Sequence, residues 1–222
     1  MQNWIFDLRS RSFVLLVIAF VIVTILVHFE ITEQFDQSTI QYFDSIIGNP
    51  SLDMIMQSIT EIGDVYYMLL FGIALLVIKK TRRIGITIMI LLVMTTLLTG
   101  YIKCGVDRDK PDLDFTGTPF PIPIDRDTFA LFCAGSSDAS FPSGHAARAA
   151  IFAIILSFSL SERFPKGCYL LFLYPILMSI SRVYVLQHFP MDVIGGTIIG
   201  ILLAGVLGQK TKLYKIFKKS ET

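Results

Sequence analysis

Three stretches of this 222-residue chain hold side chains able to bind or attack an anion. The first is FPSGH, residues 141–145. Pro142 fixes a φ suited to the first turn of a helix. Ser143 supplies a hydroxyl, and Gly144 lets another group approach the backbone closely. The N–H groups that open a helix favour an anion, which puts His145 on the rim of an anion site. The other reading is an ordinary capping turn whose histidine faces lipid headgroups. The second stretch is SRVYVLQHFPMD, residues 181–192. Arg182 offers a planar guanidinium matched to phosphate. Pro190 starts a helix, so Asp192 falls in its first turn and can reach back to one ring nitrogen of His188, freeing the other to attack. Otherwise this is a capped helix beside a bystander histidine. The third, KCGVDRDKP at 103–111, sets Lys103, Arg108 and Lys110 among Asp107 and Asp109, as an anion clamp or as a solvated, self-compensating loop.

The elements that must position these residues are apolar. Hydrophobic residues make up 53% of the chain and charged residues 17%, against about 25% charged in a soluble domain. The apolar residues fall into six blocks: Phe13–Phe29, Ile62–Ile78, Ile84–Ile102, Ala146–Leu160, Cys168–Leu186 and Met191–Leu207. Their lengths approach the roughly 17–25 residues a membrane helix needs. Asp64 weakens the second block and shortness the fourth. None alternates as barrel strands do. No small-x-small cleavage site follows the first block, so it reads as an uncleaved membrane helix. The expectation is an all-α, polytopic membrane protein with six transmembrane helices in a bundle. No linker or repeat divides it, so residues 1–222 read as a single domain. Leu52, Ile55, Met56 and Ile59 recur at helical spacing, which predicts a short interfacial helix in the first outer loop, starting at Pro50–Ser51. The second outer loop, 103–142, is long and rich in Pro, Asp, Gly and Ser. Loops of that kind are usually functional or disordered.

Charge placement sets the orientation. Segments 1–12, 79–83, 161–167 and 208–222 hold 13 of the 19 Lys and Arg residues, while the 29–61 loop holds none. By the positive-inside rule both termini are cytoplasmic. The basic tail reads as a topology anchor on anionic lipid, with no sign of nucleic-acid binding. His145, His188, Lys103, Lys110, Arg182 and Asp192 then share one level on the extracytoplasmic face. Ionisable residues at membrane spans are costly and tend to be functional. Cys104 and Cys133 both fall on that outer side and either pair or stay free. Cys168 falls on the inner side. No Cys/His spacing or acidic pair suggests a metal.

Taken in order, the three stretches resemble the signature motifs of the type-2 phosphatidic acid phosphatase superfamily, roughly K-x6-R-P, P-S-G-H and S-R-x5-H-x3-D. Pro142, Ser143, Gly144 and His145 match the second motif. Ser181, Arg182, His188 and Asp192 match the third. Lys103 and Pro111 match the first, with Lys110 where the family has arginine and Arg108 two residues earlier as the alternative. The resemblance implies a metal-independent membrane phosphatase with no cofactor. In it His188 attacks phosphorus to form a phosphohistidine and Asp192 orients His188. His145 protonates the leaving oxygen, then activates water. Lys103, Lys110, Ser143, the Gly144 N–H and Arg182 hold the phosphate. The implied substrate is a lipid phosphate or diphosphate such as phosphatidic acid, phosphatidylglycerol phosphate or a polyprenyl diphosphate. A lipid phosphotransferase and a non-catalytic lipid-binding protein are the competing readings. Soluble vanadium haloperoxidases share the motifs, but six membrane helices argue against them.

Overall fold

The computed structural model describes residues 10–118, 139–161 and 163–211, and every regular element among them is helical. Helix α1 spans Arg11–His28, opened by Ser10, whose Oγ accepts from the Phe13 N–H at 3.1 Å. Then follow α2 (Glu33–Ile46), α3 (Pro50–Ile62), α4 (Val65–Val77), α5 (Arg82–Val106) and α6 (Gly144–Leu160). A 3-10 segment, Gly167–Phe172, leads into α7 (Leu173–Tyr184), and α8 runs Pro190–Thr211.

All six apolar blocks are helical. Four helices are long and apolar enough to cross a membrane, or five if α3 and α4, bent by 54°, form one broken span. The remaining block, α6, has 17 residues, about 26 Å at 1.5 Å per residue against a hydrocarbon core of ~30 Å. Its shortness has a physical reason. Thirteen of its 17 residues are buried, as expected of a helix that is apolar all round and sits at the centre of a bundle. It packs on α5, α7 and, most extensively, α8. By contrast α1 is mostly exposed, an apolar rod whose few buried contacts, Val23 and Val27, lie against Phe141 and Met191.

The α6–α8 seam is built from small residues. A Cβ on Gly196 would run into the Ser143 carbonyl, and one on Gly200 into the Ala147 carbonyl and Ala150. Small residues let backbones approach within a membrane, where apolar area alone gives helices little reason to associate. That closeness brings the start of α6 to the start of α8, where the Ser143 N–H donates to the Asp192 carbonyl at 3.0 Å.

The first loop departs from expectation. It holds two helices, not one. Helix α2 forms because Ile40, Phe43 and Ile47, at helical spacing, pack against Val183, Leu186, Phe189 and Val193. Helix α3 begins at Pro50 as expected, capped by Asn49, whose Oδ1 accepts from Ser51 and Leu52. Its inward face, however, is not the apolar stripe. Asp53 and Thr60 are its buried residues, and Ile55 is exposed. Asp53 accepts from the Tyr184 hydroxyl at 2.6 Å. A helix that turns polar groups toward its neighbours and apolar ones outward suits a surround of lipid.

Candidate active site

Four helix ends meet at one end of the bundle: the last turns of α5 and α7 and the first turns of α6 and α8. Lys103, in the last turn of α5, donates from Nζ to the Ala139 carbonyl at 2.5 Å. Lys110, Arg182, Arg148 and Asp192 lie within electrostatic reach of its ammonium. Arg182, buried in the last turn of α7, donates from Nη1 to Thr60 Oγ1 at 3.3 Å. Arg148 is buried one turn into α6 and gives both Nε and Nη2 to the Gly63 carbonyl, each at 3.3 Å.

The FPSGH turn starts α6 two residues later than a Pro142 at the first helical position would. Gly144 is the first helical residue and Ser143 the N-cap, its Oγ accepting from the Ala146 N–H at 3.5 Å. The hydroxyl hydrogen remains able to donate to an anion, and the Gly144 N–H stands at the helix mouth. His145 is half-buried, its Nε2 4.0 Å from Asp64 Oδ2.

His188 is buried in the connection between α7 and α8. Burial pushes its imidazole down to about 3; the Arg182 and Lys103 charges act in the same direction and Asp192 against it. The ring is therefore neutral, with a lone pair to offer. The preceding turn puts Leu186 at φ 54°, a conformation that costs a non-glycine residue about 1–2 kcal/mol. Leu186 is fully buried there among the residues that cover α2. Strain of this kind persists only where packing over-determines it, and it gathers at functional turns.

Asp192 lies in the first turn of α8, as its position after Pro190 requires, but its partners are not simply those expected. The closest approach to His188 is 3.7 Å, Oδ2 to Nδ1, longer than a hydrogen bond. The same Oδ2 accepts from the Phe189 N–H at 2.8 Å and Oδ1 from Arg108 Nη1 at 2.9 Å. Arg108 also holds Asp36 at 2.7 Å and Glu33 at 3.2 Å, both on α2, and lies over the Phe189 ring 4.1 Å from its centroid. Burial works against its charge, yet Asp192 and Asp36 hold the Arg108 guanidinium above its ordinary range. Asp36, fully buried, also accepts from the Met191 N–H at 3.2 Å.

These bonds bear on the first motif. Arg108 is held by three carboxylates, whereas Lys110 lies within electrostatic reach of Lys103. A cavity of about 640 Å³ opens over Arg108, Lys110 and Pro111, walled by α1 and α2 residues that include His28 and Glu33. Sequence reasoning missed Arg108's partners, Asp36 and Glu33, along with Asp64 and a role for Arg148. Asp36 and Asp64 each have one legible signal: a carboxylate placed within or beside apolar residues. Cys104 is disulfide-bonded and Cys168 is a free, buried thiol. Cys133 lies outside the described residues.

Apolar helices of crossing length, ending together around two imidazoles, a buried carboxylate and a group of cations, define a multi-pass membrane protein with a polar, cation-rich cluster at one end of its bundle. The chain belongs to the PAP2 superfamily, whose model matches residues 84–213. It is 29% identical over 196 residues to an undecaprenyl-diphosphatase of Sulfolobus acidocaldarius, covering 87% of this chain and 88% of that protein. It is also 29% identical over 169 residues to phosphatidylglycerophosphatase B of Bacillus subtilis, covering 71% and 74%. Among solved structures, the fold resembles a transmembrane PAP2-type phosphatidylglycerolphosphate phosphatase of Bacillus subtilis, with a TM-score of 0.72 at 24% identity over 94% of this chain and all of that one. It also resembles Aquifex aeolicus LpxE, with a TM-score of 0.55 at 24% identity, over 79% of this chain and 95% of that one.

Proposed function

We propose that this protein is an integral membrane phosphatase, one domain over residues 1–222, that hydrolyses a lipid phosphate or lipid diphosphate through a phosphohistidine. The observation that carries the reading is the meeting of all three motif stretches at one end of the bundle, tied by the Ser143–Asp192 bond. In the first step the neutral His188 ring attacks phosphorus, the bond from phosphorus to the lipid oxygen breaks, and His145 gives that oxygen a proton. In the second, His145 takes a proton from water, the water oxygen bonds to phosphorus and the phosphorus–nitrogen bond breaks. Phosphate leaves and His188 returns neutral. Lys103, Lys110, Arg182, the Ser143 hydroxyl and the Gly144 N–H hold the equatorial oxygens. Phosphoryl transfer is chiefly positioning and charge stabilisation, which such donors supply. Asp192 keeps the His188 ring in register and is itself held by Arg108.

Several features support a lipid substrate. The site borders spans apolar enough for a bilayer, and an apolar groove of about 310 Å³ runs between α4, α6 and α7 past Phe71, Phe152 and Tyr174. The names of both curated relatives point the same way. Six spans, counting α3–α4 as one and α6 as another, would leave both termini on one side of the membrane, and the basic inner segments support the cytoplasm for that side and the extracytoplasmic face for the site. The test is phosphate release by detergent-purified protein from phosphatidic acid, phosphatidylglycerol phosphate and a polyprenyl diphosphate, with EDTA present. At least one is expected to be hydrolysed, and His188→Ala should lower turnover by roughly 10⁴-fold or more. Silence on all three, or an active His188→Ala, would end the reading.

A further inference from the structure

The α3–α4 break is a costly place for a carboxylate. Gly63 and Asp64 interrupt what is otherwise a pair of apolar helices, and both are buried. Irregular backbone at membrane depth is tolerated where it is buried in protein or lines a cavity. Here it faces the candidate site at two points. The Gly63 carbonyl takes the Arg148 guanidinium, and a Cβ on Gly63 would lie 3.3 Å from His145 Cδ2. Asp64 caps α4, its Oδ1 accepting from the Tyr66 N–H at 3.0 Å. Its other oxygen, Oδ2, is turned to His145 Nε2 at 4.0 Å.

The sites of the two histidines then share a plan. Each ring has one nitrogen turned to a buried carboxylate, at 3.7 Å for His188 and 4.0 Å for His145. One chemical need separates them. A proton donor must carry its proton inside a pocket designed to attract phosphate. Among the described residues, the charged groups that act on Lys103 there are Lys110 beyond the end of α5, Arg148 on α6 itself and Arg182 on α7, all cations, with Asp192 on α8 engaged by Arg108. An imidazolium among cations needs an anion of its own, and Asp64 is the one turned to it.

We propose that Asp64, outside the stretch matched to the family, is a positioning residue for His145. It holds Nε2, leaves Nδ1 to exchange the proton with the leaving oxygen, and balances the charge that this proton brings. Catalytic hydrogen bonds often reach full length only when substrate is bound, so a 4.0 Å approach fits the role. This inference rests on the reading of His145 as the proton donor.

The test exploits the second duty of Asp64. Asparagine is as good an N-cap as aspartate, so Asp64→Asn keeps the cap and removes the charge. Its melting temperature should match the parent's. Its kcat/KM on a hydrolysed lipid phosphate should fall by roughly 10-fold or more, the lower end of the cost of losing a carboxylate that orients a histidine. On p-nitrophenyl phosphate, whose leaving group departs without a proton, kcat/KM should change by less than about threefold, because general-acid assistance is then dispensable. Asp64→Glu should recover most of the lipid activity. An Asp64→Asn protein within twofold of the parent on lipid, or one equally impaired on both substrates, overturns the proposal. Because His145→Ala is measured alongside, full lipid activity in that variant would instead sink the functional reading beneath it.

Discussion

The two imidazoles occupy unlike corners of one site. His188 is buried, neutral and set in a strained turn, and its carboxylate is fixed from three sides, by Arg108, by the Phe189 N–H and, through the main chain, by Ser143. His145 sits half-buried at a helix mouth, and its carboxylate, Asp64, caps α4. The contrast follows the work proposed for each. A nucleophile gains from a single fixed position and from losing its proton. A group that gives a proton away and later takes one back must carry charge and keep contact with water. One corner is therefore built for rigidity and the other for exchange. Both lean on helices from the first third of the chain, α2 for one and the α3–α4 break for the other.

Removing Arg108 should break the comparison most sharply. Arg108→Met leaves Asp36 and Asp192 buried without their cation, and losing one partner of a buried ion pair costs about 3–5 kcal/mol. The expected result is a large drop in melting temperature together with loss of turnover. Arg108→Met combined with Asp36→Asn should recover part of the stability, because one of the stranded charges is gone. If Arg108→Met is as stable as the parent, the network does not hold Asp192, and the rigid corner is rigid for another reason.

How far the sequence shows these corners depends on distance along the chain. The motif residues were legible because their chemistry is local: Pro190 places Asp192 and Ser143 caps α6 within a few positions. The apolar helices are legible because apolar runs carry their own length, though four or five, not six, are of crossing length. Helix α2 is hard to see in the sequence although Ile40, Phe43 and Ile47 repeat at helical spacing, since the acidic residues of the segment make it look solvated. Its buried Asp36 answers to Arg108 and Met191, 72 and 155 residues away. No local pattern can report such partners. In the sequence Asp64 is only a flaw in an apolar block. Its partner, His145, comes into view once α3 and α4 are seen to bend at that residue.

The seam that joins the corners offers a smaller effect. Gly196 lets the start of α6 lie on α8, and a side chain there would meet the Ser143 carbonyl. Gly196→Val should cost about 1–3 kcal/mol, as overpacking does. Because it presses on the link between Ser143 and Asp192, turnover should fall more than melting temperature alone predicts. Gly167, where an added Cβ would meet Phe164 Cβ at an ordinary 3.7 Å, is the control. Gly167→Ala should leave both measurements near the parent's. Equal behaviour of the two variants would mean that the seam tolerates separation and that the corners are positioned independently.

The smallest effect is invisible at neutral pH. Folding pushes the His188 imidazole down to about 3 from an ordinary 6.5. Above pH 6.5 the ring is neutral in folded and unfolded chains alike, so His188 adds no pH dependence. As pH falls from there toward 3, the unfolded chain takes up a proton that the folded one refuses, and stability is lost across that window. His188→Asn has no such proton to refuse, so its melting temperature should fall less steeply between pH 6.5 and 4.5. Parallel slopes for parent and variant would show that the ring is not held neutral by burial. The same shift fixes an expectation for catalysis. With the nucleophile neutral throughout, any change in kcat/KM between pH 5 and 8 belongs to another group. If Asp64→Asn moves that change while Arg108→Lys leaves it in place, the titrating group lies in the exchanging corner, and the division of labour between the two histidines stands on a measurement independent of their rates.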